Sequence, residues 1–190
     1  MYLDTKGHVT TGIGHLLKDA RAAVELPWCH RATGQRATPA EVNAAFDRLR
    51  GMWTEYRSEH PNGKNPNRAG YYEKRSDLLL PEGYATKLAT NRLQNEFLPE
   101  LQRRFPGLDR CPLPAQRALV DMAYNLGVSN LIEKFPNFVT AFRNGEFAKA
   151  AGECRRSSSR QERNDVTRQL LEEAEQLKAS VRTLTREVRL

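Results

Sequence analysis

Apolar positions recur at helical spacing along most of the chain. Val42, Ala45, Phe46, Leu49, Met52, Trp53 and Tyr56 fall three and four apart, the spacing of one helix face turned to a core. The stripe opens on Thr38-Pro39-Ala40-Glu41, where Thr can cap, Pro fits the first helical position and Glu completes a capping box. A second helical stretch, from about Glu82 to Phe105, carries Leu88, Leu93, Phe97, Leu101 and Phe105 on one side. Pro99 is expected to bend or divide it. Pro114 opens the most apolar helix. Its Ala118, Leu119, Met122, Ala123 and Leu126 are expected to face inward, and Gly127 suits the C-terminal cap. Shorter helices are expected over 16–26, 137–144 and 146–154. At the end, Leu170, Ala174, Leu177, Val181, Leu184 and Val188 alternate spacings of four and three, a heptad seam of nearly three repeats. Three heptads are marginal alone, so the expectation is a helix folded back on its own domain rather than a coiled coil.

The period changes only near the start. Met1 to Leu3 and Val9 to Ile13 favour strand, and Asp4-Thr5-Lys6-Gly7 between them is a turn signal. A small β-hairpin follows, whose geometry brings Asp4 close to Thr10 on the returning strand. Gly12 and Gly14 leave the adjacent backbone open to close approach. They do not form a dinucleotide loop, because position 17 is Leu and no βαβ pattern follows. From His60 to Gly70 the composition (HPNGKNPNRAG) is that of a loop with solvated charges, and the Arg155–Arg160 run reads as a basic, solvated turn.

Composition narrows the classes. A chain of 190 residues with 39% hydrophobic and 28% charged content and a mean hydropathy of -0.69 is expected to be globular, with no membrane insertion. No signal-peptide pattern is visible at the start. Cys29, Cys111 and Cys154 are too few and too far apart for a disulfide framework or a zinc site, so no metal and no cofactor are expected. The net charge of +7 suits either nucleic acid or an anionic envelope polymer. Both signs are interspersed and no nucleic-acid motif occurs, so nucleic acid is not the expected partner.

Tyr2, Asp4, Thr5, Gly7, Thr10, Gly12, Ile13, Gly14, His15, Leu16 and Leu17 together resemble the active-site hairpin of the phage-type lysozymes, glycoside hydrolase family 24. A weaker match lies at Ala123-Tyr124-Asn125-Leu126-Gly127, and similarity of pattern continues to about Leu170. The stretch from Cys29 to Leu80 looks inserted relative to the small phage enzymes. The resemblance implies an α+β, mostly α, lysozyme-like two-lobed fold, with a small β-hairpin lobe and a helical lobe joined by the 82–105 helix. A lysozyme-like domain would cover residues 1–169, and the heptad-bearing helix 170–190. The resemblance gives Asp4 and Thr10 catalytic roles, and places Leu16, Tyr124, Asn125 and Phe138 at the substrate. Gly14, His15 and Arg163 would support them, Arg163 (or Arg160) by pairing with the catalytic acid. In the family that acid is a Glu nine residues before the Asp. The present sequence starts three residues before Asp4, so the 190 residues are expected to have little activity by themselves.

Cleaving a glycosidic bond takes an acid for the leaving oxygen and a carboxylate for the water. Asp4 fits the second role in an inverting arrangement, and the Thr10 hydroxyl can hold the water. The function implied is a peptidoglycan hydrolase cutting between N-acetylmuramic acid and N-acetylglucosamine, in a phage endolysin or a secreted antibacterial effector. Such a protein would be made in the cytoplasm and act in the periplasm or on the cell wall. Peptidoglycan is then the partner. An immunity protein belongs to the effector context, and a coiled-coil partner to the tail. The alternatives are a non-catalytic peptidoglycan-binding relic and a basic helical adaptor.

Overall fold

The strand signals at the start fold into more than one hairpin. In the computed structural model, strands β1 (Tyr2–Leu3), β2 (Val9–Thr11) and β3 (His15–Leu16) form one antiparallel sheet with β2 central. Its register pairs Tyr2 with Thr10, Leu3 with Val9, Thr10 with Leu16 and Thr11 with His15. The structure describes residues 1–157, 159 and 161–187, with side chains as far as Val181. It divides into two compact units, Met1–Asn91 and Arg92–Leu190. The fold is α+β and mostly α.

In the first unit, α1 (Ala20–Val24) is shorter than the stretch expected, because Asp19 caps it by accepting from the Ala22 N–H. Strand β4 (Cys29–His30) leads to α2 (Pro39–Glu59), which begins with the capping box that the sequence spells: Thr38 accepts from the Glu41 N–H, and Glu41 accepts from the Thr38 N–H. Val42, Phe46 and Leu49 are buried, and Met52 and Trp53 pack beside them. After α3 (Ala69–Glu73), β5 (Leu78–Leu79) returns to pair with β4, Cys29 against Leu79 and His30 against Leu78. The segment from Cys29 to Leu80 is thus closed at its base by a ladder of its own. Its α2 and Tyr72 share one core with Leu3, Val9, Leu17 and Trp28 of the hairpin side. Helix α4 (Tyr84–Arg92) completes the unit.

The second unit opens at a π turn, Leu93–Phe97, followed by α5 (Leu98–Arg104). Pro99 has no N–H for the helical ladder and its ring crowds the carbonyl four residues back. The ladder passes it by slipping to five-residue spacing, Leu98 N–H to Leu93 O. Helix α6 (Leu113–Leu126) buries Pro114, Ala115, Ala118, Leu119, Met122 and Ala123. Leu126 packs at the edge of that core. Gly127 ends α6 and α7 (Val128–Lys134) follows at once, then α8 (Pro136–Arg143), α9 (Phe147–Gly152) and α10 (Gln161–Glu187).

Helix α10 packs against α6 and α9, burying Asn164, Thr167, Leu171 and Ala174. Glu175 accepts from the N–H groups of Phe147 and Ala148, capping α9, and Lys178 donates to the Gly145 carbonyl. The inner face is therefore offset from the expected seam. Ala174 belongs to both and Leu170 is half-buried, while Leu177 and Val181 are exposed. The Leu184 side chain and Val188 lie outside the described residues.

Candidate functional site

The hairpin turn is built around the Asp4 carboxylate. Its Oδ1 accepts from the backbone N–H groups of Lys6 and His8, each at 2.8 Å. The Asp4 carbonyl takes the Gly7 N–H, and the Asp4 N–H reaches the His8 carbonyl at 2.9 Å. Gly7 has a φ of 82°, and a Cβ there would stand 2.0 Å from Trp53 Cε2, so both backbone and space require glycine. Aspartate suits this turn because a short carboxylate can bond the backbone just beyond itself.

Thr10 joins the same arrangement. Its Oγ1 donates to the His8 carbonyl at 3.1 Å, the oxygen that also takes the Asp4 N–H. The expected closeness of Asp4 and Thr10 thus has a definite form, one carbonyl shared by both residues. With the Thr10 proton spent on that carbonyl, its oxygen is left as an acceptor. On Asp4, Oδ1 is occupied twice by backbone. Among the described residues Oδ2 faces His8 Nδ1, at 3.2 Å, and the side chain is 35% exposed. His8 did not stand out from its motif. Its only signal in the sequence was its position four residues after Asp4, across the turn.

The other residues expected in the hairpin lie along β3. His15 pairs with Thr11 and is half-buried, and Leu16 pairs with Thr10 and is 42% exposed, available to a ligand. Gly14 has a φ of 72° with open space where a Cβ would stand, so it serves the turn rather than a close contact.

In the second unit, the half-buried Tyr124 ring lies 5.3 Å from the Phe97 ring, with the Arg92 guanidinium 5.9 Å from its centroid. Asn125 is exposed and its Nδ2 donates to Ser159 Oγ at 2.8 Å. Phe138 sits beneath a hollow of about 280 Å³ that Lys134, Phe135, Asn137 and Glu153 also line. It is fully buried and packs on Phe142, because its position on α8 turns it into the core. Arg163 has a carboxylate partner within its own unit. Its Nε and Nη2 both reach Asp121 Oδ1, at 2.8 and 2.6 Å. Arg160 lies outside the described residues.

That ion pair is one corner of a network the sequence did not announce. Arg156, read as part of a solvated turn, is 1% exposed. Its Nη1 reaches Asp121 Oδ2 at 2.7 Å, its Nε reaches Asn164 Oδ1 at 3.1 Å, and its Nη2 donates to Thr167 Oγ1 at 2.7 Å. Burial pushes the Asp121 carboxyl up, but the hydrogen bonds from Arg163, Arg156 and Thr167 outweigh it and hold it below the usual carboxylate range. A buried guanidinium with every polar edge occupied is a structural device.

A cavity of about 1110 Å³ lies in the first unit among His30, Arg31, Glu41, Leu49, Tyr72 and Asp77, and none of the expected site residues lines it. The adjacent Cys29 and His30 do not converge on an ion: Cys29 Sγ faces the Pro27 carbonyl and His30 Nε2 faces Glu41 at 3.3 Å. Among the described residues no group of three or more His, Cys, Asp or Glu could hold a metal, and no helix is long and apolar enough to cross a membrane. No family model, no curated protein and no solved structure matches the chain.

Proposed function

We propose that this protein acts on peptidoglycan as a glycosidase of the inverting type, with Asp4 as the base and Thr10 as the residue that orients the water. The observation that supports this most directly is the division of labour around the His8 carbonyl. Asp4 is held by its own turn with Oδ2 turned to partial solvent, and the Thr10 hydroxyl, buried on β2, is tied to the same His8 carbonyl as the Asp4 N–H. On this reading a water would give one hydrogen to Thr10 Oγ1 and the other to Asp4 Oδ2, keeping a lone pair for the sugar carbon. As the carbon–oxygen bond forms, Asp4 takes the proton. The leaving oxygen needs a separate acid on the far side of the bond, because one carboxylate cannot serve both faces in one step. The resemblance puts that acid nine positions before Asp4, ahead of the first of the 190 residues.

Turbidity clearing of permeabilised bacteria, with analysis of the reducing ends released, tests the reading. The 190 residues alone are expected to clear weakly, since general acid assistance contributes about 10²–10⁴-fold. A chain carrying a Glu nine positions before Asp4 is expected to clear, and Asp4→Asn in that chain to abolish clearing without unfolding it. Full clearing by the Asp4→Asn variant rejects Asp4 as the base.

A further inference from the structure

We infer that Asn65, in the loop between α2 and α3, is the positioning residue for Asp4, so that the Cys29–Leu80 segment works as a brace for the hairpin's carboxylate. The inference rests on the proposal that Asp4 is the base. The contacts are specific. Asn65 Nδ2 donates to the carbonyls of Leu3 at 2.8 Å and Asp4 at 3.1 Å, and the Asn65 N–H donates to the carbonyl of Thr5 at 3.1 Å. Three successive carbonyls of the Asp4 strand and turn are therefore held by one residue sixty or more positions away in the chain.

Asn65 is itself held. Its Oδ1 accepts from the Tyr72 hydroxyl at 2.9 Å and from the Asn67 N–H at 3.0 Å. Tyr72 is buried in the unit's core, and burial pushes its phenol above the usual range despite its hydrogen bonds with Asn67 and Asn65, so it stays a donor. With both donor hydrogens and the acceptor oxygen engaged, the amide has a single satisfied orientation. Trp53, from α2 of the same segment, lies directly against Gly7 at the other end of the turn. The brace thus grips the turn on both sides of the carboxylate and leaves Oδ2 alone. A side chain fixed by packed neighbours in this way is what a catalytic group needs to keep its geometry.

Asn65→Asp tests this in the full chain. It keeps the shape and removes both donor hydrogens. The readout is amide exchange, followed by NMR, at Lys6 and His8, whose N–H groups bond Asp4 Oδ1. Exchange there is expected to speed by about tenfold or more, as two hydrogen bonds at a marginally stable turn are lost. Amides of α2 and of the β4–β5 ladder should stay protected. Tyr72→Phe, which removes one hydroxyl, should give a smaller change at the same two amides and covers the case in which Asn65→Asp fails to fold. Thr38→Ala, which removes a helix cap in the same unit, should leave both amides unchanged. In the clearing-competent chain, Asn65→Asp should lower kcat and leave KM unchanged. Unchanged Lys6 and His8 exchange in folded Asn65→Asp overturns the brace. A response of those amides in a protein whose Glu-carrying form never clears rejects the glycosidase reading instead, and with it the catalytic meaning of the brace.

Discussion

Single residues decide more here than their positions in the sequence suggest. Gly7 read as an ordinary turn glycine, and the structure adds the Trp53 ring against it. Gly7→Ala meets two costs: about 1–2 kcal/mol for a left-handed backbone in an L-residue, and about 1–3 kcal/mol for displacing Trp53. A urea titration should show the midpoint falling accordingly, and an unchanged midpoint would mean that Trp53 moves aside freely. Arg156 is the opposite case. Nothing in Arg155–Arg160 distinguishes it from its solvated neighbours, because what buries it is Asp121 thirty-five residues earlier and Asn164 and Thr167 on α10. Asp121→Asn leaves that guanidinium without its counter-charge, at a cost of about 3 kcal/mol, the low end for a broken buried pair because Asn keeps one acceptor oxygen. The sign of the pH dependence follows from the depressed carboxyl. The folded value lies below the unfolded one, near 3.9. Its stabilisation is therefore whole above about pH 4 and is lost as pH falls through the folded value. Urea midpoints at pH 7 and pH 3 should fall more steeply with acid in the native chain than in Asp121→Asn. Parallel falls would place the acid sensitivity elsewhere.

At the scale of elements, legibility tracked how local the determinants are. The start of α2 was readable because its signal, Thr38 to Glu41, lies within four residues and is realised as two backbone hydrogen bonds. The division at Pro99 was readable for the same reason, although the π turn that carries it out was not. Strand β3 was missed because two residues give no alternation to detect, and Asn65 because a loop composition says nothing about what the loop touches. The tail lies between these cases. Its heptad pattern was real, but two overlapping faces share it. The face docked on α6 and α9 runs through Asn164, Thr167, Leu171 and Ala174, three and four apart like the seam itself. Leu171→Ala should cost about 2–5 kcal/mol, as for a leucine removed from a packed core. Leu177, 45% exposed, should tolerate Ala within about 0.5 kcal/mol, as surface positions do. Thermal unfolding of the two variants makes the comparison, and sedimentation of Leu177→Ala completes it. A lower solution mass for that variant would show the outer face to be a contact between copies.

For the whole molecule, the excess charge is the property that composition announced and no single site absorbs. The chain carries 30 basic and 23 acidic side chains, and the excess of +7 is spread as +3 over residues 1–91 and +4 over residues 92–190. A reader of nucleic acid concentrates such charge on one face or arm. A diffuse excess favours weak, long-range attraction to any extended polyanion, which on the proposed function is the cell wall. The ion pairs that hold the fold respond to salt differently from this diffuse field. Arg156 and Asp121 sit where solvent ions screen them little, whereas exposed cations are screened over about 8 Å at 0.15 M salt and about 3 Å at 1 M. Retention on purified peptidoglycan sacculi should therefore fall by about tenfold or more between low salt and 1 M, while the urea midpoint of the fold barely moves. Duplex DNA at equal charge concentration should compete poorly at 0.15 M, because the basic excess is divided between the two halves of the chain rather than gathered on one arm. Retention indifferent to salt would assign wall binding to the hairpin site alone and leave the net charge as solubility. Competition by DNA as strong as by soluble wall polymer would return nucleic acid to the list of partners.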